Sequence, residues 1–351
     1  MTAPPLAILN TGLVTSVGFD SPSSCAAMRA KISNPSQTSF IDSGGEFFIG
    51  HRVVLEEPWS GLTRLVKMTA PVIDEALGDT PQAERADIPV LLCVAEVDRP
   101  GRTEGLDEQL MDLLQQELGW QFNERSALIA HGRVAVPIAL AHARTLIYEH
   151  QVPGVLIVAA DNLLSWQTMS HYEFAGRLLT SHNSDGFLPG EAAGALLVGR
   201  PQPKGGLLCL GVGFAMEPAH IESGEPLRAD GLTQAIKAAL TDAGREMHHV
   251  DLRIADLSGE QYYFKEATLA VARTLRQRKE EFDIWHPAEC VGEVGAVAGI
   301  CVIALADAAC RKGYAPGNTI LAHMAADAGQ RAAVTLMHAA PQTSSPPGSA
   351  S

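Results

Sequence analysis

Apolar residues fall along this chain in two rhythms. Continuous apolar runs near residues 6–14, 89–95 and 154–160 fit strands buried on both faces. Between them, segments 61–77, 107–118 and 133–149 space their apolar positions three or four apart, as amphipathic helices do. The second half of the chain repeats the alternation, with strands near 206–214, 251–257 and 318–325 and helices at 231–244, 263–279 and 295–312. Elements alternating in this way predict an α/β architecture of mixed sheets covered by helices.

The halves share residues as well as rhythm. IALAHARTLIYEHQVPGVLIVAAD (138–161) matches IALADAACRKGYAPGNTILAHMAAD (303–327), each closing on Ala-Ala-Asp. Upstream, GLTRLVKMTAPVIDEAL (61–77) faces GLTQAIKAALTDAG (231–244). Gly61, Ile138, Pro153 and Ala159 recur 170, 165, 163 and 166 positions later. Alanine-rich helices match by chance, but two matches in one order at nearly one offset favour duplication. The polar link PQPKGG (201–206) divides a half at 1–200 from one at 206–340. It is too short to separate independent domains, so the halves are expected to pack as one body. Residues 341–351, PQTSSPPGSAS, lack an apolar pattern and read as a disordered tail.

Composition narrows the class. With 46% hydrophobic and 19% charged residues, the chain reads as a folded soluble protein. A net charge of −14 argues against nucleic-acid and membrane-surface partners, which are themselves anionic. No apolar run reaches the ~20 residues that span a bilayer, and the N-terminus reads as a strand and turn, not a signal peptide. The expected location is the cytoplasm. Cys25, Cys93, Cys209, Cys290, Cys301 and Cys310 are scattered, several within apolar runs, and read as reduced thiols before a disulfide framework. Neither CxxC nor HExxH spacing occurs, so no metal site is predicted.

The segment SDGFLPGEAAGALLVG (184–199) crowds Gly186, Gly190, Gly194 and Pro189 ahead of an apolar strand. Together with the N-terminal ILNTGLVTSVG and with Arg177 ahead of Asp185-Gly186-Phe187 and Gly190-Glu191, it resembles the β-ketoacyl-ACP synthases of the thiolase superfamily. The resemblance runs from about residue 6 to 336. It implies a thiolase-like fold, in which duplicated α/β halves layer mixed sheets and helices as αβαβα. It makes Asp185, Gly186, Phe187, Gly190 and Glu191 a loop walling an acyl pocket, with the two carboxylates fixing the loop by accepting backbone N–H bonds.

Members of that family attack an acyl thioester with a helix-tip cysteine and use two imidazoles (or His and Asn) in decarboxylation. Here the resemblance puts Arg133 at the cysteine position, and no cysteine lies between Cys93 and Cys209. Ser258 takes the place of the first histidine and Glu293 that of the second; Ala288 stands for a lysine. Of a GFGG loop, AADAGQR keeps Gly329. A guanidinium cannot be a nucleophile, and a helix N-terminus repels a cation unless a carboxylate intervenes. Either Glu293 pairs with Arg133 and plugs the site, or each finds other partners. Ser258 reads as a turn residue, and no histidine is placed by motif to activate it. Cys290 with His286 makes the alternative centre, although Pro287 and the nearby glycines predict looping backbone there. His131 fits an anion contact or a turn.

The implied protein is a pseudoenzyme without a cofactor, binding or scaffolding a partner. Homodimerisation through an edge strand at 154–160 is expected, and the resemblance adds an acyl carrier protein or a bacterial type VI secretion effector as partners. The rival readings are a chain-length-factor-like subunit beside an active synthase and, if active, a 3-oxoacyl-ACP-synthase-like acyltransferase or thioester hydrolase.

Overall fold

The continuous apolar runs become strands packed on both faces. In the computed structural model, which describes residues 3–341, the first half runs β1 (Leu6–Val14), α1 (Ser21–Arg29), β2 (Ser36–Ile41), β3 (Phe47–Gly50), α2 (Gly61–Leu77), α3 (Gln82–Arg85), β4 (Val90–Val94), α4 (Leu106–Leu118), β5 (Ala127–Ala130), α5 (Ala135–Tyr148), β6 (Val155–Asn162), α6 (Trp166–Phe174) and β7 (Glu191–Gly199). The second half runs β8 (Gly206–Met216), α7 (Asp230–Asp242), β9 (Leu252–Ala255), α8 (Gln261–Thr274), β10 (Ile284–Trp285), α9 (Ala288–Val291), α10 (Ala298–Arg311), β11 (Thr319–Ala325) and β12 (Gln330–Ala339). The tail expected at 341–351 lies outside the described residues except for Pro341. Among the described residues no helix is long and apolar enough to cross a membrane.

Strand order carries the duplication. The first half is ordered β5-β4-β6-β7-β1 and the second β10-β9-β11-β12-β8. In each, the first two pairings are parallel and the last two antiparallel. Within the large sheet Leu6↔Cys209 and Ala7↔Leu208 join the halves through β1 and β8, and outside it a bridge between Pro189 and Glu293 joins them again. Along β6, Val155, Ile157 and Ala159 face the core around α5 and α10, whereas Leu156, Val158 and Ala160 face α2 and α4. The helices α7 and α8 cover the other half. Every residue of α10 from Ala298 to Ala309 is buried, as befits a helix enclosed between sheets. The layering is therefore αβαβα.

Glycines set the closest contacts. A Cβ at Gly12 of β1 would stand 2.3 Å from the Val72 carbonyl oxygen of α2, and one at Gly213 of β8 would stand 2.2 Å from that of Ala235 in α7. The equivalent strand and helix meet backbone to backbone in both halves.

Three expectations are corrected. The segment 154–160 is not an edge: β6 pairs with β4 on one side and β7 on the other, so its backbone groups are satisfied. The free edge of the first half is β5. The Ile-Ala-Leu-Ala identity is out of phase by two residues, because Gly132 and Gly295, which open the turns into α5 and α10, lie 163 positions apart. Alanine-rich helices buried nearly all round lose little in such a shift. Finally, Ala288–Val291 form a helical turn rather than looping chain, with Pro287 supplying its first carbonyl to Cys290 and Val291.

Candidate functional site

Strand β5 ends at Ala130, and His131 and Gly132 turn the chain into α5. Gly132 has φ 51°, a left-handed conformation that suits glycine. A Cβ there would lie 2.1 Å from Glu96 Oε2. This sharp turn puts Arg133 in a 3-10 segment (Gly132–Val134) at the tip of α5, with its side chain buried. The second half builds the same device. Gly295, φ 53°, opens Gly295–Val297 ahead of α10, and its Cβ would stand 2.0 Å from Asp161 Oδ2. Asp161 accepts the Ala296 N–H at 2.9 Å, a carboxylate where the helix dipole favours one. Gly295→Ala is expected to cost at least about 2 kcal/mol through left-handed strain and displacement of Asp161. A lower urea midpoint at unchanged m-value checks it.

Around the α5 tip the charges converge. Arg133 Nη1 donates to Glu293 Oε2 at 3.3 Å, and Nη2 donates to the Tyr263 hydroxyl at 2.8 Å and to Asp327 Oδ1. Its guanidinium lies 4.7 Å from the Tyr263 ring centre, and Nε is 4.0 Å from Asp256 Oδ2. Asp327 also accepts from Arg177 at 2.7 and 3.0 Å, from the Tyr263 hydroxyl at 2.6 Å and from the Tyr172 hydroxyl at 3.2 Å. Arg177 completes a bidentate pair with Glu260 at 2.7 and 3.0 Å. Glu293 is fixed from two sides. Its Oε1 accepts the Gly295 N–H at 2.9 Å, and its carbonyl accepts that of Gly190 at 2.8 Å.

Two guanidiniums, Arg133 and Arg177, thus face the inner carboxylates Asp256, Glu260, Glu293 and Asp327, with the exposed Glu222 4.0 Å from Arg177. Such a cluster holds protons. Burial raises Glu293 to about 7, the attraction of Arg133 notwithstanding, and Asp256 is raised for the same reason. Burial works against ionised Asp327 as well, but Arg133 and Arg177 outweigh it and hold that carboxyl far below its ordinary range. Arg133 stays cationic, since Tyr263, Asp327, Glu293 and Asp256 overcome its desolvation.

Little space remains. The void between Arg133, Glu293, Asp327, Tyr172 and Phe187 measures about 20 Å³, room for roughly one water. Asp327 also borders an outer cleft of about 460 Å³ lined by Glu96, Asp98, His131, His171 and Glu222. His131 therefore stands in an acid-lined vestibule.

The remaining sequence-derived positions differ in their surroundings. Ser258 Oγ is buried beside Glu293, whose ionised form it favours, but makes no well-formed hydrogen bond among the described residues. Cys290 is pushed up to about 11 by burial, while His286 Nδ1 turns to Glu289 at 3.0 Å, so they do not act as a pair. Another Ser–His contact, Ser16 Oγ to His51 Nδ1 at 3.2 Å, is buried, and burial lowers His51 to about 4. All six cysteines carry free thiols.

In the loop, Gly186 passes so close to the chain at Arg177–Leu179 that a Cβ would meet the Leu178 carbonyl carbon at 2.5 Å. Phe187 packs edge-on against Tyr172 and borders the void. Asp185 accepts the Gln261 N–H at 2.7 Å at the start of α8. Glu191 turns away from the plug, accepting the Val53 N–H at 2.9 Å and pairing with buried Arg64. Asp327 is the central residue that sequence reasoning passed over. Its signal was present, for it closes the second Ala-Ala-Asp of the repeat, as Asp161 closes the first; Asp161 clasps Arg99 as Asp327 clasps Arg133.

Neither a family model nor a curated protein matches the chain. Solved structures do. The ketosynthase ApeO in complex with its chain length factor ApeC, from Xenorhabdus doucetiae, gives a TM-score of 0.73 at 14% identity over 96% of this chain and 98% of that one. The ishigamide ketosynthase/chain length factor gives 0.77 at 17% identity, covering 95% and 99%. A type II polyketide acyl-carrier protein in complex with its hexaketide-bound ketosynthase, AntDE:AntF, gives 0.77 at 14%, covering 95% and 99%. At these identities the likeness is one of fold, and the fold is the thiolase-like one of the ketosynthases.

Proposed function

We propose that this ketosynthase-like fold serves here for binding and not for condensation, as a non-catalytic subunit that holds a protein partner. One observation supports the reading: Arg133, at the tip of α5, is locked by Asp327, Glu293 and Tyr263 in a space with room for one water. In this reading that tip corresponds to the one that presents a nucleophile in such enzymes. A permanently protonated guanidinium offers no electron pair to a thioester carbonyl. Cys301 borders a void of about 10 Å³ that Glu293 also lines, and burial raises its thiol and that of Cys290. Neither is a thiolate near neutral pH.

Incubation with malonyl- and acyl-thioesters tests this. The expected intact mass is unchanged and no carbon dioxide is released; a covalent acyl adduct overturns the reading and restores an acyltransferase.

A second reading is supported by the ApeO–ApeC and ishigamide structures, which unite a ketosynthase with a chain length factor. In it, this chain is the chain-length-factor-like member of such a pair. Either a heterodimer of that kind or a homodimeric scaffold would extend the sheet through β5, the free edge. Co-purification with a ketosynthase supports the second reading. Self-association alone, with capture of an acyl carrier protein or of a secretion effector, supports the scaffold.

A further inference from the structure

Away from the plug, the β2–β3 hairpin buries one face and leaves the other uncovered. Phe48 packs with Met169 and Tyr172 of α6, and Phe40 lies against the same cluster. A strand buried on one side ordinarily alternates apolar and polar residues. Phe47-Phe48-Ile49 does not: Phe47 and Ile49, on the opposite face of β3 from Phe48, are 48% and 36% exposed. Ile41, 45% exposed, is the cross-strand partner of Phe47 and so shares its face. Single apolar residues scattered on a surface need no explanation, but here three large ones adjoin.

What borders this face is acidic. The turn from Asp42 to Glu46 connects Ile41 to Phe47 and adds two carboxylates. Glu173 adds a third, its Oε1 accepting the Ser43 N–H at 2.7 Å. That bond also brings Phe174, 95% exposed at the end of α6, to the turn end of the hairpin. Asp42 Oδ1 holds the turn, accepting the N–H groups of Gly44 and Glu46 at 2.9 and 2.8 Å. Among the described residues no cation pairs with Asp42, Glu46 or Glu173. Uncovered apolar area thus meets uncompensated negative charge, and the complement of such a surface is apolar and cationic.

That chemistry selects the occupant. A second copy of the chain, meeting this face across a two-fold axis, would set the same carboxylates against one another. An anionic membrane surface is repelled by them and by the net charge of −14. Residues 342–351 carry neither a large apolar side chain nor a cation. A foreign segment that couples large apolar side chains with lysine or arginine meets both demands.

We propose that the outer face of the β2–β3 hairpin docks a basic, apolar segment of a protein partner, its large apolar side chains on Ile41, Phe47 and Ile49 and its cations toward Asp42, Glu46 and Glu173. The site rests on the reading of the chain as a binding subunit and names where it binds. The thioester test above does not involve this face, so either can fail alone.

The probe is a short fluorescein-labelled peptide of leucine and lysine, followed by anisotropy on the full chain at physiological salt, which screens long-range attraction to an acidic protein. A second peptide carries glutamate in place of every lysine. The expected result is saturable binding of the lysine peptide, at least about tenfold tighter than that of the glutamate peptide. Phe47→Ser and Glu46→Lys, both at exposed positions, are each expected to weaken it at least about fivefold. Glu46→Lys keeps the test open should Phe47→Ser lose stability. Glu149→Lys, the same charge change at the exposed end of α5, is expected to bind as the parent does. Absence of saturable binding below millimolar peptide, equal binding of the two peptides, or full binding by both hairpin variants each overturns the proposal. An equal loss for Glu149→Lys overturns it too, by reducing the effect to net charge. Self-association of the chain, or binding to phosphatidylcholine vesicles, that Phe47→Ser abolishes would assign the face to a second copy or to lipid and likewise overturn it.

Discussion

Arg133→Ala loses about 3–5 kcal/mol of unfolding free energy, read from denaturant unfolding at neutral pH. The substitution removes one of two cations from a buried cluster of four carboxylates and leaves Arg177 to neutralise the rest. Breaking one partner out of a buried ion pair is costly because the other charge stays desolvated. The Tyr263 hydroxyl loses a donor as well. Adding Glu293→Gln to Arg133→Ala should recover part of the loss, since it removes a carboxylate that has lost its counter-charge. A decrease below about 1 kcal/mol for Arg133→Ala, of the size seen for exposed pairs, would show that water already reaches the cluster.

Glu293→Gln should separate from the parent as pH rises from about 5 to 8, because over that range the parent loses the stability that a protonated Glu293 supplies. Glu293 titrates at about 7 in the fold against an ordinary 4.5. A carboxyl raised on folding stabilises fully below its unfolded pKa, and that contribution is lost as pH climbs through the folded one. The loss amounts to about 3 kcal/mol by pH 8. Asp327 acts in reverse, being held below its ordinary range, so its contribution exists above about pH 4 and disappears in acid. The cluster is therefore most stabilising near pH 4–5. Glu293→Gln keeps the volume and removes the titration. Its urea midpoint should match the parent near pH 5 and exceed it at pH 8. A gap between variant and parent that does not widen from pH 5 to pH 8 would refute a proton held at Glu293.

Much of the architecture was legible because burial on both faces writes itself as uninterrupted apolar sequence. The strands β1, β4 and β6 and the helix α2 lie where the pattern puts them. The helix expected to reach 279 stops at Thr274, where Arg276-Gln277-Arg278-Lys279-Glu280-Glu281 supplies no apolar position to hold another turn. Besides the β2–β3 hairpin, the strands β5, β10 and β12 passed unread. The first two are four and two residues long, below any period; β12 mixes Arg331, Thr335 and His338 into its run and gets its register from β8 and β11. The edge at β5 followed from pairing, which no local pattern encodes. Flanking motifs singled out Arg133 and Glu293, which do meet in the fold, whereas the hub at Asp327 depends on contacts 194 and 150 residues away in sequence, with Arg133 and Arg177.

The narrow seam between β1 and β8 has a consequence for how the duplicated lobes came to need each other. Of the clustered charges, Arg133 and Arg177 belong to the lobe before the Pro201–Gly206 link, and Asp256, Glu260, Glu293 and Asp327 to the lobe after it. One lobe brings the cations and the other these carboxylates, so a lobe severed at the link would leave its buried charges without their counter-charges. The ion pairs thus weld the lobes where the sheet joins them only narrowly.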